Sequence, residues 1–207
     1  MVGFKIDDLW SEARFSDIEA FVHVQAAIGS PDPVTETKWL TEMADGTNIP
    51  LRVIGDCSLN ETTAIKTLDR HGEFRIFAGV RDFKAEPFLA AGGVGAQYNN
   101  SLNYLAERNW AFDLDCEWPN MDAALNLARE HPNLKIVLEH IGYPRRRDDE
   151  YFNNWREALG RLSKAENVVC KISGVGMTDP RFTKESLRKW VETCLETFGP
   201  TKCVMGS

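Results

Sequence analysis

The chain has 207 residues, enough for one domain with a sizeable core, and 43% hydrophobic against 27% charged residues excludes a disordered chain. Its formal charge is −7, from 24 Lys and Arg against 31 Asp and Glu, which argues against nucleic acid or an anionic membrane surface as partner. No apolar stretch approaches the ~20 residues of a membrane span, and no signal-peptide core opens the chain. The five cysteines form no Cys-x-x-Cys pair and are odd in number, so buried free thiols in a reducing, cytoplasmic setting are expected.

Strand-like and helix-like segments alternate along the chain. Strands are expected at 20–26, 51–54, 74–80, 110–115, 134–140, 168–173 and 202–206. Each is short, apolar on both faces and rich in Val, Ile, Phe or Leu, as in a buried parallel sheet. Residues 2–6 are too short to be a confident first strand. Helices are expected at 36–44, 60–70, 100–107, 120–130, 151–162 and 184–198, where apolar residues recur every three or four positions. Pro132 ends one helix, because the residue before a proline disfavours the helical conformation. Gly199-Pro200 ends another.

Strands separated by helices imply right-handed crossovers and a parallel sheet. Seven strands at this spacing suit an α/β fold of the parallel (β/α)8 TIM-barrel type, present as an incomplete barrel in a single domain, 1–207. An open doubly wound sheet is the competitor. It is weakened because Gly92-Gly93-Val94-Gly95 follows a helix-like run and lacks phosphate-loop spacing. By strand count, the first strand and the final loop and helix lie outside the chain.

Several strands end in a polar residue, and barrel active sites lie at the C-terminal strand ends. His140 closes Ile136-Val137-Leu138-Glu139-His140 and is the leading catalytic candidate, as a general base or as a metal ligand through neutral imidazole. Lys171 closes another strand with Ser173 and can act as base, electrophile or salt-bridge partner. His23 and Gln25 share one face of their strand, and Val22 and Val24 the other. If the polar face is the barrel interior, His23 and Gln25 reach the mouth; otherwise they form an orienting polar layer. Arg81 suits a bidentate grip on a substrate carboxylate, or else pairs with Asp82 at the surface. Asp113 and Asp115 share one strand face, where one of them can accept a proton, bind metal or hold a neighbouring cation. His71 and His131 sit in turns at helix ends and are expected to face solvent. Arg145-Arg146-Arg147 followed by Asp148-Asp149-Glu150 is expected to be a solvated loop.

Taken in order, certain runs resemble the amidohydrolase-related TIM-barrel hydrolases, in the branch with sugar lactonases and dicarboxylate lactonases. They are His23-Val24-Gln25-Ala26, Asp32-Pro33, Glu36-Thr37-Lys38-Trp39, Gly79-Val80-Arg81, Phe112-Asp113-Leu114, His140-Ile141-Gly142 with Pro144, 167–174 and Phe198-Gly199-Pro200. The resemblance implies water addition to an ester, lactone or amide carbonyl of a small-molecule acid. It makes His140 the family's sixth-strand His and Arg81 a substrate-carboxylate contact. Tyr143 stands where the dicarboxylate branch can carry an Arg, with Arg145 close by in sequence. Relatives work with one divalent metal (zinc or manganese) or without one, so both remain open, as do decarboxylation on the same barrel and a non-catalytic interaction module. The resemblance also implies a His-x-His pair before the chain and an Asp after it, so the 207-residue form is expected to be weak or inactive. A homo-oligomer is compatible with all of this.

Overall fold

The structure is a computed structural model that describes residues 6–26, 28–47 and 50–206. The sheet strands are β1 (Phe21–Val24), β2 (Leu51–Asp56), β3 (Phe77–Arg81), β4 (Ala111–Leu114), β5 (Lys135–Leu138), β6 (Val168–Ile172) and β7 (Cys203–Met205). They lie in chain order, and every neighbouring pair is parallel. The helices are α1 (Ile6–Ala13), α2 (Val34–Thr47), α3 (Ala64–Gly72), α4 (Ala85–Ala90), α5 (Ala96–Glu107), α6 (Met121–Glu130), α7 (Asp149–Leu162) and α8 (Lys184–Phe198). This is the expected α/β arrangement, seven parallel strands curled into part of a barrel with helices outside. Among the described residues, no helix is long and apolar enough to cross a membrane.

Alternation along the strands divides the sheet into two environments. Phe112, Leu114, Ile136, Leu138, Val168, Cys170 and Ile172 pack outward onto helix residues such as Leu125, Trp155, Leu159 and Trp190, forming the main core. Val22, Val24, Ile54, Ala78, Ala111, Val137, Val169 and Val204 face a lumen of about 770 Å³. Val22 on β1 and Met205 on β7 are 62% and 79% exposed, because they lie on the two edge strands of the curled sheet.

One irregularity changes which residues face inward. The β2–β3 register shifts between Val53 and Ile54, whose partners are Phe77 and Gly79, so Ala78 is an extra residue. Simple alternation from the outward Phe77 would turn Arg81 outward. The bulge reverses the parity, places Arg81 beside Asp113 and turns both to the lumen.

Several sequence expectations are corrected. The strand expected at 74–80 starts only at Phe77, because Phe74 N–H bonds His71 O in a turn that closes α3. The short α1 was not anticipated. Of residues 2–6, only Ile6 lies among the described residues, where it opens α1. His71 and His131 are buried instead of solvent-facing. His71 lies between Thr37 Oγ1 at 2.9 Å and Asp56 O at 3.0 Å, and stacks on Phe77. His131 lies between Asn103 Oδ1 and Asn99 Oδ1, each at 2.9 Å. The 145–150 charge run is only partly a solvated loop. Asp148 caps α7 through Tyr151 N–H at 3.0 Å, while Arg147 reaches inward to Val175 O at 2.6 Å and covers the Trp190 ring.

Candidate active site at the C-terminal end of the lumen

Four strand ends supply a buried charge cluster. Glu139, just after β5, is 1% exposed and forms its centre. Arg81 Nη1 from β3 donates to Glu139 Oε2 at 2.7 Å, and Lys171 Nζ from β6 donates to Glu139 Oε1. Lys171 Nζ also donates to Asp113 Oδ2 at 3.3 Å. Two cations against one carboxylate hold Glu139 down to about 2, in spite of its burial. Asp113 moves the other way. Burial and the neighbouring Glu139 charge outweigh Lys171 and push its carboxyl up to about 7.

His140 lies beyond the strand, in a tight turn. His140, Ile141, Gly142 and Tyr143 have φ of 50°, 54°, 75° and 41°, four successive left-handed residues. Non-glycine residues there cost roughly 1–2 kcal/mol each, so the surroundings must hold the turn. Trp155 Nε1 donates to Ile141 O at 2.7 Å, and Tyr143 N–H bonds His140 O at 2.8 Å. A Cβ on Gly142 would lie 2.1 Å from the Met121 methyl, so the turn sits directly on α6. The result directs the His140 ring to the lumen, with Nδ1 2.8 Å from Ser173 Oγ and Nε2 3.6 Å from Glu139 Oε2. Burial shifts the imidazole toward its neutral form.

Arg81, Asp113, His140 and Lys171 therefore line one lumen. Arg81 is already engaged, however. Its Nη2 donates to Gln25 O, its guanidinium covers Phe83, and among the described residues its buried Nε has no partner. His23 borders the lumen beside Val22 and Val24, but its ring is turned to α2, and Gln25 lies outside the lumen. His23 Nε2 bonds Glu36 Oε1 of α2 at 2.8 Å, and that oxygen also accepts from Ala26 N–H at 2.9 Å. Gln25 is buried beside a small side cavity with Glu36 and Asp56. Tyr143 tilts toward His140 with ring centroids 6.2 Å apart, and the Arg145 guanidinium lies over its ring. Arg145 is itself held by Glu117, Nε to Oε2 at 2.6 Å, so it is not a free guanidinium at the mouth.

The sequence reading passed over Glu139 as a site residue. The available signal was parity, since Lys135, Val137 and Glu139 alternate on one face of β5. Asp115 was one of two alternatives there. It is half-buried, its carboxyl is raised first by burial and then by Glu86 and Glu139, and it lies outside the Lys171 network.

Among the described residues, no group of three or more His, Cys, Asp or Glu side chains is arranged to hold a metal ion. His140 Nε2 is one donor, but both Glu139 oxygens are taken by cations and Asp113 is taken by Lys171. The described residues thus do not fit a metal centre.

A parallel, helix-wrapped barrel wall with a polar cluster at its C-terminal strand ends defines a TIM-barrel enzyme architecture. The chain belongs to the amidohydrolase family, whose model matches residues 1–207. It is 30% identical over 212 residues to the uncharacterized protein y4mH of Sinorhizobium fredii, covering 99% of this chain and 71% of that one. It is 25% identical over 185 residues to an L-fucono-1,5-lactonase of Burkholderia ambifaria, covering 83% of this chain and 59% of the lactonase. A Burkholderia multivorans amidohydrolase crystallised with bound zinc superposes with a TM-score of 0.81 at 23% identity, covering 99% of this chain and 73% of that one.

Proposed function

We propose that this chain forms the larger part of the catalytic barrel of a hydrolase that adds water to a lactone, or a related cyclic ester or amide, of a small carboxylic or sugar acid. The carrying observation is the convergence of Arg81, Asp113, Glu139, His140 and Lys171 from four strand ends on one lumen. The lactonase named among its relatives supports the choice of substrate class.

His140 Nε2 faces the lumen and is placed to bond a substrate carbonyl oxygen, stabilising charge as it develops there. Lys171 has three N–H donors and uses two, on Glu139 and Asp113, so one remains for an anionic substrate group. Arg81 contributes charge and its unpartnered Nε, not a free bidentate fork. Asp115, just after β4 and near enough to His140 to feel its charge, is assigned the proton from water, because its oxygens are not held by Lys171 and burial raises its affinity for a proton.

The chain spans 71% and 59% of two of its relatives, so this activity is proposed for the whole protein, and the assay uses the full reading frame. A panel of sugar-acid and dicarboxylate lactones is followed by acid release, with carbon dioxide monitored in parallel. Turnover of at least one lactone is expected, and His140→Ala lowers kcat/KM by about 100-fold or more. No lactone turnover, release of carbon dioxide instead, or an unaffected His140→Ala protein refutes the reading.

A further inference from the structure

The His140 imidazole is fixed more firmly than a lumen side chain needs to be. Ser173 Oγ lies 2.8 Å from Nδ1, and Ser173 is 2% exposed. The next residue, Gly174, has φ of +60°, and a Cβ there would lie 2.7 Å from His140 Nδ1. The ring edge that carries Nδ1 thus rests against the Ser173-Gly174 backbone, and Nε2 is left to the lumen. The opposite end of the ring faces Glu139, with Nε2 3.6 Å from Oε2.

A neutral imidazole carries one proton, and the groups around it decide which nitrogen holds it. A lone pair on Nε2 would point its negative density toward the Glu139 carboxylate. A proton on Nε2 meets that carboxylate favourably. Nδ1 then holds the lone pair, and the Ser173 hydroxyl, which can either donate or accept, donates into it. Lys171 and Arg81 also face the ring as cations, and Asp115 as a carboxyl. Burial first, and then the two cations, disfavour a second proton on the ring and outweigh the pull of Glu139 and Asp115, so the neutral form persists.

We propose that Ser173 is a positioning residue that holds His140 in its Nε2–H tautomer, making the imidazole a hydrogen-bond donor toward the lumen and not a base. This rests on the reading of His140 as the carbonyl-polarising group and deepens it. It also opposes a metal-ligand role, since a metal on Nε2 requires the proton on Nδ1.

The test is two-bond ¹H–¹⁵N correlation spectroscopy on the protein from the full reading frame with ¹⁵N-labelled histidine, with the His140 signals assigned by their loss in His140→Gln. The expected result is a single Nε2–H pattern for His140. Ser173→Ala loses that pattern to a mixture of tautomers, and Ser173→Thr, which keeps the hydroxyl, restores it. An Nδ1–H pattern in the unsubstituted protein overturns the proposal. So does an unchanged single Nε2–H pattern in folded Ser173→Ala. The spectrum reads the tautomer whether or not any lactone is turned over. The expected pattern in a protein without lactone turnover supports the Ser173 assignment and defeats only the substrate reading.

Discussion

Replacing Glu139 by Gln keeps the side-chain shape and removes one charge from a carboxylate that is 1% exposed. Two cations lose their shared partner, Arg81 at 2.7 Å and Lys171 on the other oxygen. With charge centres ~4 Å apart and an effective dielectric constant near 20, each attraction is about 4 kcal/mol before desolvation is considered. Desolvation of the ions cancels much of that in the intact cluster. Breaking a buried pair from one side therefore costs about 3–5 kcal/mol, chiefly through the charge left behind. Asp113 moderates the loss. Its carboxyl stands at about 7 partly because Glu139 is charged, so in Glu139→Gln it ionises more readily and takes over Lys171. Arg81 alone is then orphaned, which places the expected loss near the low end, about 3 kcal/mol at neutral to mildly alkaline pH. For a domain of this size that is a fall of roughly 6–12 °C in Tm.

Urea unfolding followed by tryptophan fluorescence measures the loss as a lower midpoint at an unchanged m-value. Adding Arg81→Met to Glu139→Gln recovers part of the loss, because the orphaned charge is removed with its partner. The pH dependence has a definite sign. Glu139 is lowered from 4.5 to about 2 on folding, so its contribution is complete above 4.5 and disappears as pH falls through 2. The difference between the two proteins should close over that window. A Glu139→Gln protein within about 0.5 kcal/mol of the original, or a strictly additive double variant, would refute the account of the cluster.

Gly142→Ala places a side chain at φ of +75°, against the Met121 methyl, and should lower stability by about 1–3 kcal/mol; an unchanged melting temperature would show that the left-handed turn is not constrained as described. Asn167 Nδ2 serves the carbonyls of Ala128, His131 and Leu134 at 3.1, 3.0 and 2.9 Å, so Asn167→Ala takes the shared donor from three part-buried acceptors and should cost about 1–3 kcal/mol in urea unfolding. Burial lowers the proton affinity of His71, His131 and His140, so the unfolded chain takes up protons near its ordinary value of 6.5 that the folded chain refuses. Stability should fall as pH drops through that range, and Asp113, raised to about 7, offsets part of the fall because folding favours its protonated form. Unfolding midpoints that rise steadily from about pH 7.5 to 5.5 would contradict this sign.

Local pattern and tertiary context contributed differently to what could be read in advance. Val168–Ile172 could be recognised as a central strand because it is apolar on both faces, and a parallel sheet is buried on both faces. Helix α8 was marked by its apolar spacing and its Gly199-Pro200 stop. His140 and Lys171 stood out by their place at strand ends. His23 and Gln25 were left between two readings because alternation assigns residues to two faces without saying which face is the lumen. His71 and His131 misled because a turn at a helix end can itself be covered by other elements.

The sequence by itself determined the order of elements, the parallel sheet and the end of it where chemistry belongs, because these follow from periodicity, chain punctuation and the handedness of crossovers. Only the tertiary structure decided how the site is wired. The extra residue at Ala78 turns Arg81 inward, and a bulge depends on the register of two strands rather than on either sequence alone. Glu139 becomes the hub because residues 58 and 32 positions away deliver their cations to it. The left-handed turn at 140–143 is held by Trp155 and Ser173, which reach it from α7 and the end of β6. Such contacts are long-range, and local propensity carries no information about which partners will meet.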